Sequence, residues 1–121
     1  MLIGLHIRRG DYKTAKDGKH FYNDHEFVNI IEKSLKLFLN NKVGFIVCSD
    51  EQLNHKIFSN FEITYGASHI IEDMYALASR DYIIGAPSTY NAWSCFYGNT
   101  PFYHTTNPNA DITISSFKSY D

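Results

Sequence analysis

The sequence is poor in cysteine and nearly balanced in charge, and both shortages restrict what the protein can be. Only Cys48 and Cys95 occur among 121 residues. Both stand in apolar patterns, so we expect two buried thiols in a reducing compartment, with no disulfide or zinc site. Eleven basic and 13 acidic residues give a net charge of −2, which offers no general electrostatic attraction to nucleic acid. We therefore expect a cytoplasmic protein with no nucleic-acid partner.

Long apolar runs and several common catalytic motifs are also missing. No run of about 20 apolar residues occurs, so no membrane span is predicted, and membrane contact is expected at most at the periphery, in the context of a longer protein. The absence of G-x-G-x-x-G, G-x-x-x-x-G-K-[ST] and G-x-S-x-G argues against a classical dinucleotide site, a P-loop and a hydrolase nucleophile elbow. Asp50 and Glu51 are adjacent, which is not the spacing of metal-dependent sugar transferases. We expect no cofactor and no essential metal.

What the sequence does contain is a regular alternation of strand and helix patterns. Hydrophobic residues make up 44% of the chain, with nine Phe and nine Tyr, enough for one packed domain. Strands are predicted to begin near Leu2, Gly44 and Tyr82, with weaker strands at 61–65 and 101–103. This alternation predicts an α/β fold, a Rossmann-like parallel sheet of four or five strands with helices on both faces. We expect this domain to cover residues 1–104 and an irregular tail to cover 105–121.

Four helices are predicted between these strands. Asn23 precedes Glu26 by three residues, which is typical of a capping box at a helix start. Asp50 is expected to cap a short helix that runs to about Phe58. Apolar residues at helical spacing predict two later helices. The first carries Ile71, Met74, Tyr75 and Ala78. The second is capped by Ser88, and its aromatic stripe, which we expect in the core, consists of Tyr90, Trp93 and Tyr97.

The most informative segment is His6–Asp11, with the sequence HIRRGD, directly after the first predicted strand. Open α/β sheets bind ligands at the carboxyl ends of their strands. An arginine presents a rigid fork of N–H donors that matches phosphate oxygens. The alternative is an Arg–Asp ion pair at a solvated strand end. The tripeptide Arg9–Asp11 also spells an integrin-type adhesion motif, but the chain has no secretory or disulfide features to support adhesion.

Polar loops after the other strands are expected at the same edge of the sheet. Arg8 and Arg9 supply positive charge there, and Asp50 supplies a carboxylate that can accept two N–H donors, such as those of a guanine edge. Ser88 and Thr89 supply hydroxyl and N–H groups at a helix start, which is a natural anion site. For Ser88 and Asp50, a plain helix cap is the alternative. Together these loops predict a cradle for a nucleoside diphosphate.

Four segments resemble one enzyme family in the same order. His6–Asp11 resembles the H-x-R-R-x-D motif of α1,2-fucosyltransferases, α1,6-fucosyltransferases and protein O-fucosyltransferases. Val47–Glu51 resembles the strand and S-D-[DE] loop of the α1,2 group, and Glu72–Ala78 resembles its D-[LM]-x-x-[LM] helix. Ile83–Trp93 resembles its I-x-S-x-S-[ST]-F-S-W-W segment, although Pro87 and Asn91-Ala92 depart from that pattern. The resemblance covers about residues 2–103 and leaves the subgroup and acceptor open.

The resemblance implies the donor-binding, carboxyl-terminal half of an inverting GT-B glycosyltransferase that uses GDP-fucose and a glycan acceptor without an essential metal. By position, Arg8 would be the catalytic residue, because it would contact the β-phosphate and stabilise charge on the departing GDP. Arg9 and Asp11 would shape that loop. Because neighbouring side chains at an extended strand end point to opposite sides, Arg9 is expected to turn away from the phosphate and toward the protein, against Asp11 or Asp81. His6 and Asp50 would lie near the guanine.

By the same resemblance, Ser88 and Thr89 would lie near the phosphates. The motif begins five residues into the chain, so the resemblance also implies that acceptor binding and any general base come partly from an amino-terminal domain outside this chain, or from self-association. Two alternatives remain open. The chain can be a non-catalytic module that binds GDP-sugars or other nucleotides, or a structural α/β domain.

Overall fold

Five parallel strands form a single sheet at the centre of the molecule. The structure, a computed structural model of the chain, describes residues 1–9, 22–86 and 88–119. The strand order is β3-β2-β1-β4-β5, and every neighbouring pair is parallel. The predicted Rossmann-like α/β fold is confirmed, and the strands are β1 (Leu2–Ile7), β2 (Gly44–Ser49), β3 (Ile63–Tyr65), β4 (Tyr82–Gly85) and β5 (Phe102–His104).

Within the described residues, three α-helices and two short 3₁₀ turns connect and flank the strands. The helices are α1 (Asp24–Leu37), α2 (Ile70–Ala78) and α3 (Thr89–Gly98). The predicted capping box opens α1, since the Asn23 side chain accepts the Glu26 N–H at 2.8 Å and the Glu26 carboxylate accepts the Asn23 N–H at 3.0 Å. In the described part of the chain, no helix combines the length and apolarity that crossing a membrane requires. The 3₁₀ turns cover His55–Phe58 and Ile114–Ser116.

The two faces of the sheet carry different cores because side chains alternate along each strand. Ile3, Leu5 and Ile7 of β1 pack in the larger core with Phe27 of α1. Gly4 faces the opposite side, where a Cβ would lie 2.7 Å from Leu77 Cδ2 of α2. Glycine thus lets α2 lie directly against β1. The smaller core under α2 and α3 contains both cysteines, which are buried as expected and not joined in a disulfide: Cys48, Leu77, Ile83, Cys95 and Phe102.

The carboxyl-terminal segment contains one 3₁₀ turn and otherwise lacks regular structure over residues 105–119. It nevertheless packs on the same domain. Ile112 belongs to the larger core, and the ring of Phe117 lies 4.8 Å from that of Tyr82 between centroids. Lys118 forms an antiparallel bridge to Phe102. The segment therefore adds to the stability of the sheet rather than extending away from it.

A short 3₁₀ turn ends at Phe58, where a short helix was expected to end, but Asp50 as its cap is wrong. Asn54 caps the 3₁₀ turn instead, and its side chain accepts the Lys56 N–H at 3.1 Å. The Asp50 carboxylate accepts a main-chain N–H from Arg9 at 3.0 Å. A contact across two strands has thus replaced a local cap, because the parallel sheet brings these two loops together.

The expected burial of the aromatic stripe on α3 is wrong for Trp93 and Tyr97, whereas Tyr90 is half-buried against the smaller core. Trp93 and Tyr97 of α3 are exposed, as are Ile71 and Tyr75 of α2. The buried face of α3 carries small residues, Asn91, Ser94 and Cys95. A Cβ on Gly85 would lie 2.6 Å from Asn91 Nδ2, so α3 lies too close to the sheet for large side chains to face it.

Candidate functional site

A cleft of about 680 Å³ lies at the carboxyl ends of the strands. The chain crosses from β3 at one side of β1 to β4 at the other, so the sheet has a topological switch point between β1 and β4. Ligands of open α/β sheets bind at such points, and this volume suits a small organic ligand. The lining comes from the ends of β1, β2 and β3 and from the starts of α2 and α3: His6, Arg8, Val47, Ser49, Asp50, Glu51, Gln52, Leu53, His55, Tyr65, Gly66, Ser68, Ile70, Asp73 and Tyr90.

Arg8 and His6 reach the cleft from the same side of β1. They are two residues apart, which puts both side chains on the α2–α3 face of the strand. Arg8 is half-buried and brings a guanidinium to the cleft. His6 is 6% exposed, and its ring lies 4.7 Å from that of Tyr90 between centroids. The pKa of His6 is lowered to about 4, mainly by burial, with the nearby Asp50 carboxylate opposing this shift and the Arg8 charge adding to it. His6 is therefore neutral at neutral pH.

Arg9 points to the opposite side of the sheet and is held by the protein. Its Nη2 lies 2.5 Å from Asp24 Oδ1 and its Nη1 lies 3.4 Å from Glu51 Oε1. The guanidinium carbon is 5.3 Å from the centre of the Phe27 ring. The expected orientation toward the protein is confirmed, but the proposed partner Asp81 instead accepts the Leu2 N–H at 2.8 Å. Arg9 is thus a structural residue of the loop.

Asp50 connects the loops that follow β1 and β2. Its Oδ1 accepts the Arg9 N–H at 3.0 Å, and its own N–H donates to the Ile7 carbonyl at 3.4 Å. The side chain also lines the cleft, as its predicted role requires. One carboxylate oxygen therefore orders the Arg8–Arg9 segment while Asp50 stays beside the ligand space.

Asp73 is a cleft residue that the sequence analysis did not select. It lies in the first turn of α2, is 5% exposed and lines the cleft. Its Oδ1 accepts the Ala67 N–H at 2.9 Å, and a Cβ on Gly66 would lie 2.6 Å from the same oxygen. The available signal was a carboxylate four residues before Leu77, and thus on the buried face of the helix.

The backbone around Asp73 is unusual. Ser68 has a φ of 59°, in the left-handed region that few residues other than glycine adopt. Ser68 lines the cleft, and the next residue, His69, caps α2 by accepting the Glu72 N–H at 3.3 Å. Sparsely populated backbone conformations of this kind concentrate at binding and catalytic sites.

A stacked pair of rings forms another part of the cleft wall. The rings of His55 and Tyr65 are nearly parallel, with centroids 3.7 Å apart and an interplanar angle of 8°. Both residues line the cleft. Planar aromatic surfaces of this kind are suitable for stacking a nucleobase or the apolar face of a sugar. Neither residue was selected from the sequence, because Tyr65 lies at the end of β3 and His55 in a separate turn.

Of the remaining predicted site residues, Ser88 is not among those that line the described part of the cleft. Ser88 caps α3, where its Oγ accepts the Asn91 N–H at 3.0 Å, so the predicted helix cap is present. Thr89 is the first residue of α3, but its side chain lies outside the described part of the structure, as does all of Asp11.

The charges along the cleft favour a ligand with both an anionic part and hydrogen-bond donors. Among the described residues of the lining, Arg8 is the permanent cation, and Asp50, Glu51 and Asp73 are carboxylates. A guanidinium matches phosphate oxygens, whereas a carboxylate accepts N–H and O–H donors. No group of three or more His, Cys, Asp or Glu side chains within residues 1–9, 22–86 and 88–119 could hold a metal ion.

Comparisons with protein-family models, with curated proteins and with solved structures find no match to this chain. The cleft, its charges and the motif resemblance are therefore the features of this chain that bear on its function. Fold alone does not carry function, because Rossmann-like sheets serve many chemistries.

Proposed function

We propose that the cleft binds GDP-fucose and that the chain is the donor-binding domain of an inverting fucosyltransferase, which transfers L-fucose to a glycan hydroxyl. The observation that carries this proposal is the meeting of Arg8 with Asp50 and Asp73 in one cleft beside the topological switch point. The arginine belongs to the segment that resembles the H-x-R-R-x-D motif. The other blocks of the resemblance contribute Asp50 and Asp73.

The length of the cleft suits a nucleotide. Arg8 follows β1, while Gly66 follows β3, and these strands are separated by β2. Two strand spacings correspond to about 10 Å. A diphosphate at Arg8 can therefore extend its nucleoside toward Asp73 and the His55–Tyr65 pair. Guanine offers a planar ring for stacking and two neighbouring N–H donors for a carboxylate, which are the two features of that end of the cleft.

Of the two carboxylates, we assign guanine recognition to Asp73 and loop ordering to Asp50. Asp73 is buried, so a hydrogen bond to it is shielded from water. Asp50 is exposed and uses one oxygen for the Arg9 N–H. The neutral His6 ring also lines the cleft and can donate or accept a hydrogen bond without adding charge.

The proposed chemistry requires the chain to stabilise a leaving group. An acceptor hydroxyl attacks the anomeric carbon of fucose, the bond from that carbon to the diphosphate oxygen breaks, GDP departs and a base takes the hydroxyl proton. Negative charge grows on the β-phosphate in this step. Arg8, held by the loop that Arg9 and Asp50 fix in place, would stabilise that charge, and preorganised groups of this kind contribute several kcal/mol.

The test is a calorimetric titration with GDP, GDP-fucose, GDP-mannose, UDP and dTDP. We expect guanine nucleotides to bind and to raise the melting temperature, as ligands of the native state must. Arg8→Lys should weaken GDP binding, whereas Arg80→Lys, the same change outside the cleft lining, should not. Equal affinity for all nucleotides would refute the guanine assignment, and binding of none would refute the proposal as a whole.

A donor-hydrolysis assay then separates transferase from binding module. Release of GDP from GDP-fucose that is lost in Arg8→Lys supports the transferase domain. Transfer to added glycan acceptors is expected to be weak from this chain alone, because the resemblance implies that acceptor binding comes partly from another domain. Binding of GDP-fucose without any release of GDP would instead favour a non-catalytic module.

A further inference from the structure

The outer surface of α2 and α3 carries large apolar side chains that the protein leaves in solvent. Six of the ten exposed large hydrophobic residues in the described structure lie on these two helices. We name them the aromatic face: Ile70 (68% exposed), Ile71 (50%), Tyr75 (49%), Trp93 (55%), Phe96 (59%) and Tyr97 (64%).

The aromatic face is one ordered surface, not six scattered residues. Helices α2 and α3 pack against each other. The rings of Tyr75 and Tyr97, one on each helix, meet edge to face with centroids 5.0 Å apart, and Trp93 meets Phe96 in the same way at 5.9 Å. A hydrogen bond of 2.6 Å from the Tyr90 hydroxyl to the Ile70 carbonyl fixes the start of one helix to the other. A partner would bind a preformed surface and lose little side-chain entropy.

The size of the aromatic face matches half of a stable protein interface. Large apolar side chains cover about 150–250 Å² each, so at these exposed fractions the six residues together present roughly 500–850 Å². The upper part of that range is larger than the largest apolar patch of a typical monomer, about 300–600 Å². It also reaches the area, about 800 Å², that each partner contributes to an interface of standard size.

The charge pattern favours a second copy of the same chain. Helix α3 has no acidic or basic residue over Thr89–Gly98. A partner that binds through charged side chains could form no ion pair with that helix, whereas two copies of the chain can place α3 against α3 without electrostatic repulsion. Interfaces of homodimers are apolar, rich in Trp, Tyr and Phe and depleted in charge, and two-fold dimers are the commonest assembly.

We propose that the aromatic face is the interface of a two-fold homodimer of this chain. The dimer does not depend on the proposed function of the cleft, but it bears on it. Ile70 belongs both to the aromatic face and to the lining of the cleft. A second copy bound there would lie at the rim of the cleft, where it could shape the space next to a bound ligand.

The unmodified protein provides the first test, because Trp93 is the chain's single tryptophan. We expect sedimentation velocity to show a reversible monomer–dimer equilibrium. Tryptophan emission should shift to the blue over the same concentration range, as Trp93 leaves water. A monomer at every concentration, open-ended aggregation, or a dimer that leaves the emission unchanged would each overturn the proposal.

Variants then locate the interface. Phe96→Ser with Tyr97→Ser should raise the dimer dissociation constant by about tenfold or more, since aromatic residues dominate such interfaces. Leu39→Ser is the matched control. Leu39 is 79% exposed, but it follows α1 on the opposite face of the sheet, so the dissociation constant should not change. Equal effects of the two changes would place the interface elsewhere.

Titration of GDP on the same samples keeps the two proposals apart. A dimer that binds no nucleotide refutes the proposed function alone. A strict monomer that binds GDP refutes the dimer alone. Circular dichroism of each variant shows whether a lost dimer reflects a lost fold, and the emission of the native protein gives its result without any variant.

Discussion

The main-chain N–H of Arg9 donates a hydrogen bond of 3.0 Å to the Asp50 carboxylate. The bond joins the loops after β1 and β2, which are distant in sequence but adjacent in the sheet. It fixes the backbone that presents Arg8 to the cleft. The residue expected to bind phosphate is therefore held in position by a neighbouring loop and not by its own loop alone.

Two replacements of Asp50 distinguish the effect of its hydrogen bond to Arg9 from the effect of its negative charge. Asp50→Asn keeps an oxygen that can accept the Arg9 N–H, so we expect stability and GDP affinity to change little. Asp50→Ala removes the acceptor and should lower the free energy of unfolding by about 1–2 kcal/mol and weaken GDP binding. Chemical denaturation and calorimetry measure the two effects. An alanine variant as stable and as tight-binding as the asparagine variant would contradict this role.

Changing each of the two arginines to lysine should affect different properties of the protein: nucleotide affinity for Arg8 and folding stability for Arg9. Arg8 lines the cleft, while Arg9 pairs with Asp24 and Glu51 over the Phe27 ring. Arg8→Lys should weaken GDP binding by about 1.5–3 kcal/mol, because a point charge replaces a two-pronged donor. Arg9→Lys should lower the melting temperature more than it lowers the affinity of the folded protein. The opposite result in paired titrations and melts would exchange the two roles.

The sequence predicted the fold well because its central strands, β1 and β4, are largely buried and its helices are capped locally. Apolar runs such as Gly44–Cys48 and the Asn23–Glu26 capping box report directly on local structure. The same alternation of side chains along a strand predicted that Arg8 and Arg9 would separate. These features depend on neighbours in sequence, so periodicity is enough to find them.

The sequence did not reveal which helix faces are buried or how distant loops connect. Trp93 and Tyr97 were expected in the core, but the close approach of α3 to Gly85 selects a face of small residues. Asp73 and the His55–Tyr65 pair were missed because the chain brings their elements together only after the sheet has formed. The pattern of hydrophobicity carries no information about such contacts between elements.

Acid should destabilise the protein partly through His6. Its pKa is about 4 in the folded state and about 6.5 in the unfolded state. The unfolded chain therefore binds the proton first as the pH falls, so the contribution of the neutral ring is fully present above pH 6.5 and is lost as the pH falls through 4. The loss is on the order of 3 kcal/mol. In His6→Gln the unfolding free energy should fall less steeply over this window, and parallel curves would contradict the assignment.

Nucleotide binding should not depend on a divalent metal. Arg8 can oppose the diphosphate charge directly, and within the described residues no cluster of three or more metal-ligating side chains is present. We expect the same dissociation constant for GDP in EDTA and in Mg²⁺. A clear requirement for added Mg²⁺ would show that cleft carboxylates such as Asp50 act through a bound ion.

The final prediction distinguishes the two carboxylates that can read the base. Inosine diphosphate differs from GDP only by the missing exocyclic amine, so the ratio of their affinities measures what that amine contributes. A carboxylate acceptor for a charged hydrogen bond is worth about 1.5–3 kcal/mol, and we expect the unmodified chain to prefer GDP. Asp73→Asn should reduce that preference. One Asp73 oxygen already accepts the Ala67 N–H at 2.9 Å, which leaves the other for the base. An asparagine side chain has only one acceptor oxygen, so it cannot serve both donors.

Two matched changes test whether this effect is specific. Glu72→Gln alters the exposed neighbour of Asp73 on the same helix, and we expect it to keep the full preference for GDP. Asp50→Asn should also keep it, because we assign Asp50 to the loop and not to the base. If Asp50→Asn removed the preference while Asp73→Asn preserved it, guanine recognition would belong to the β2 loop. The nucleoside would then lie nearer to β1, away from the stacked His55–Tyr65 pair.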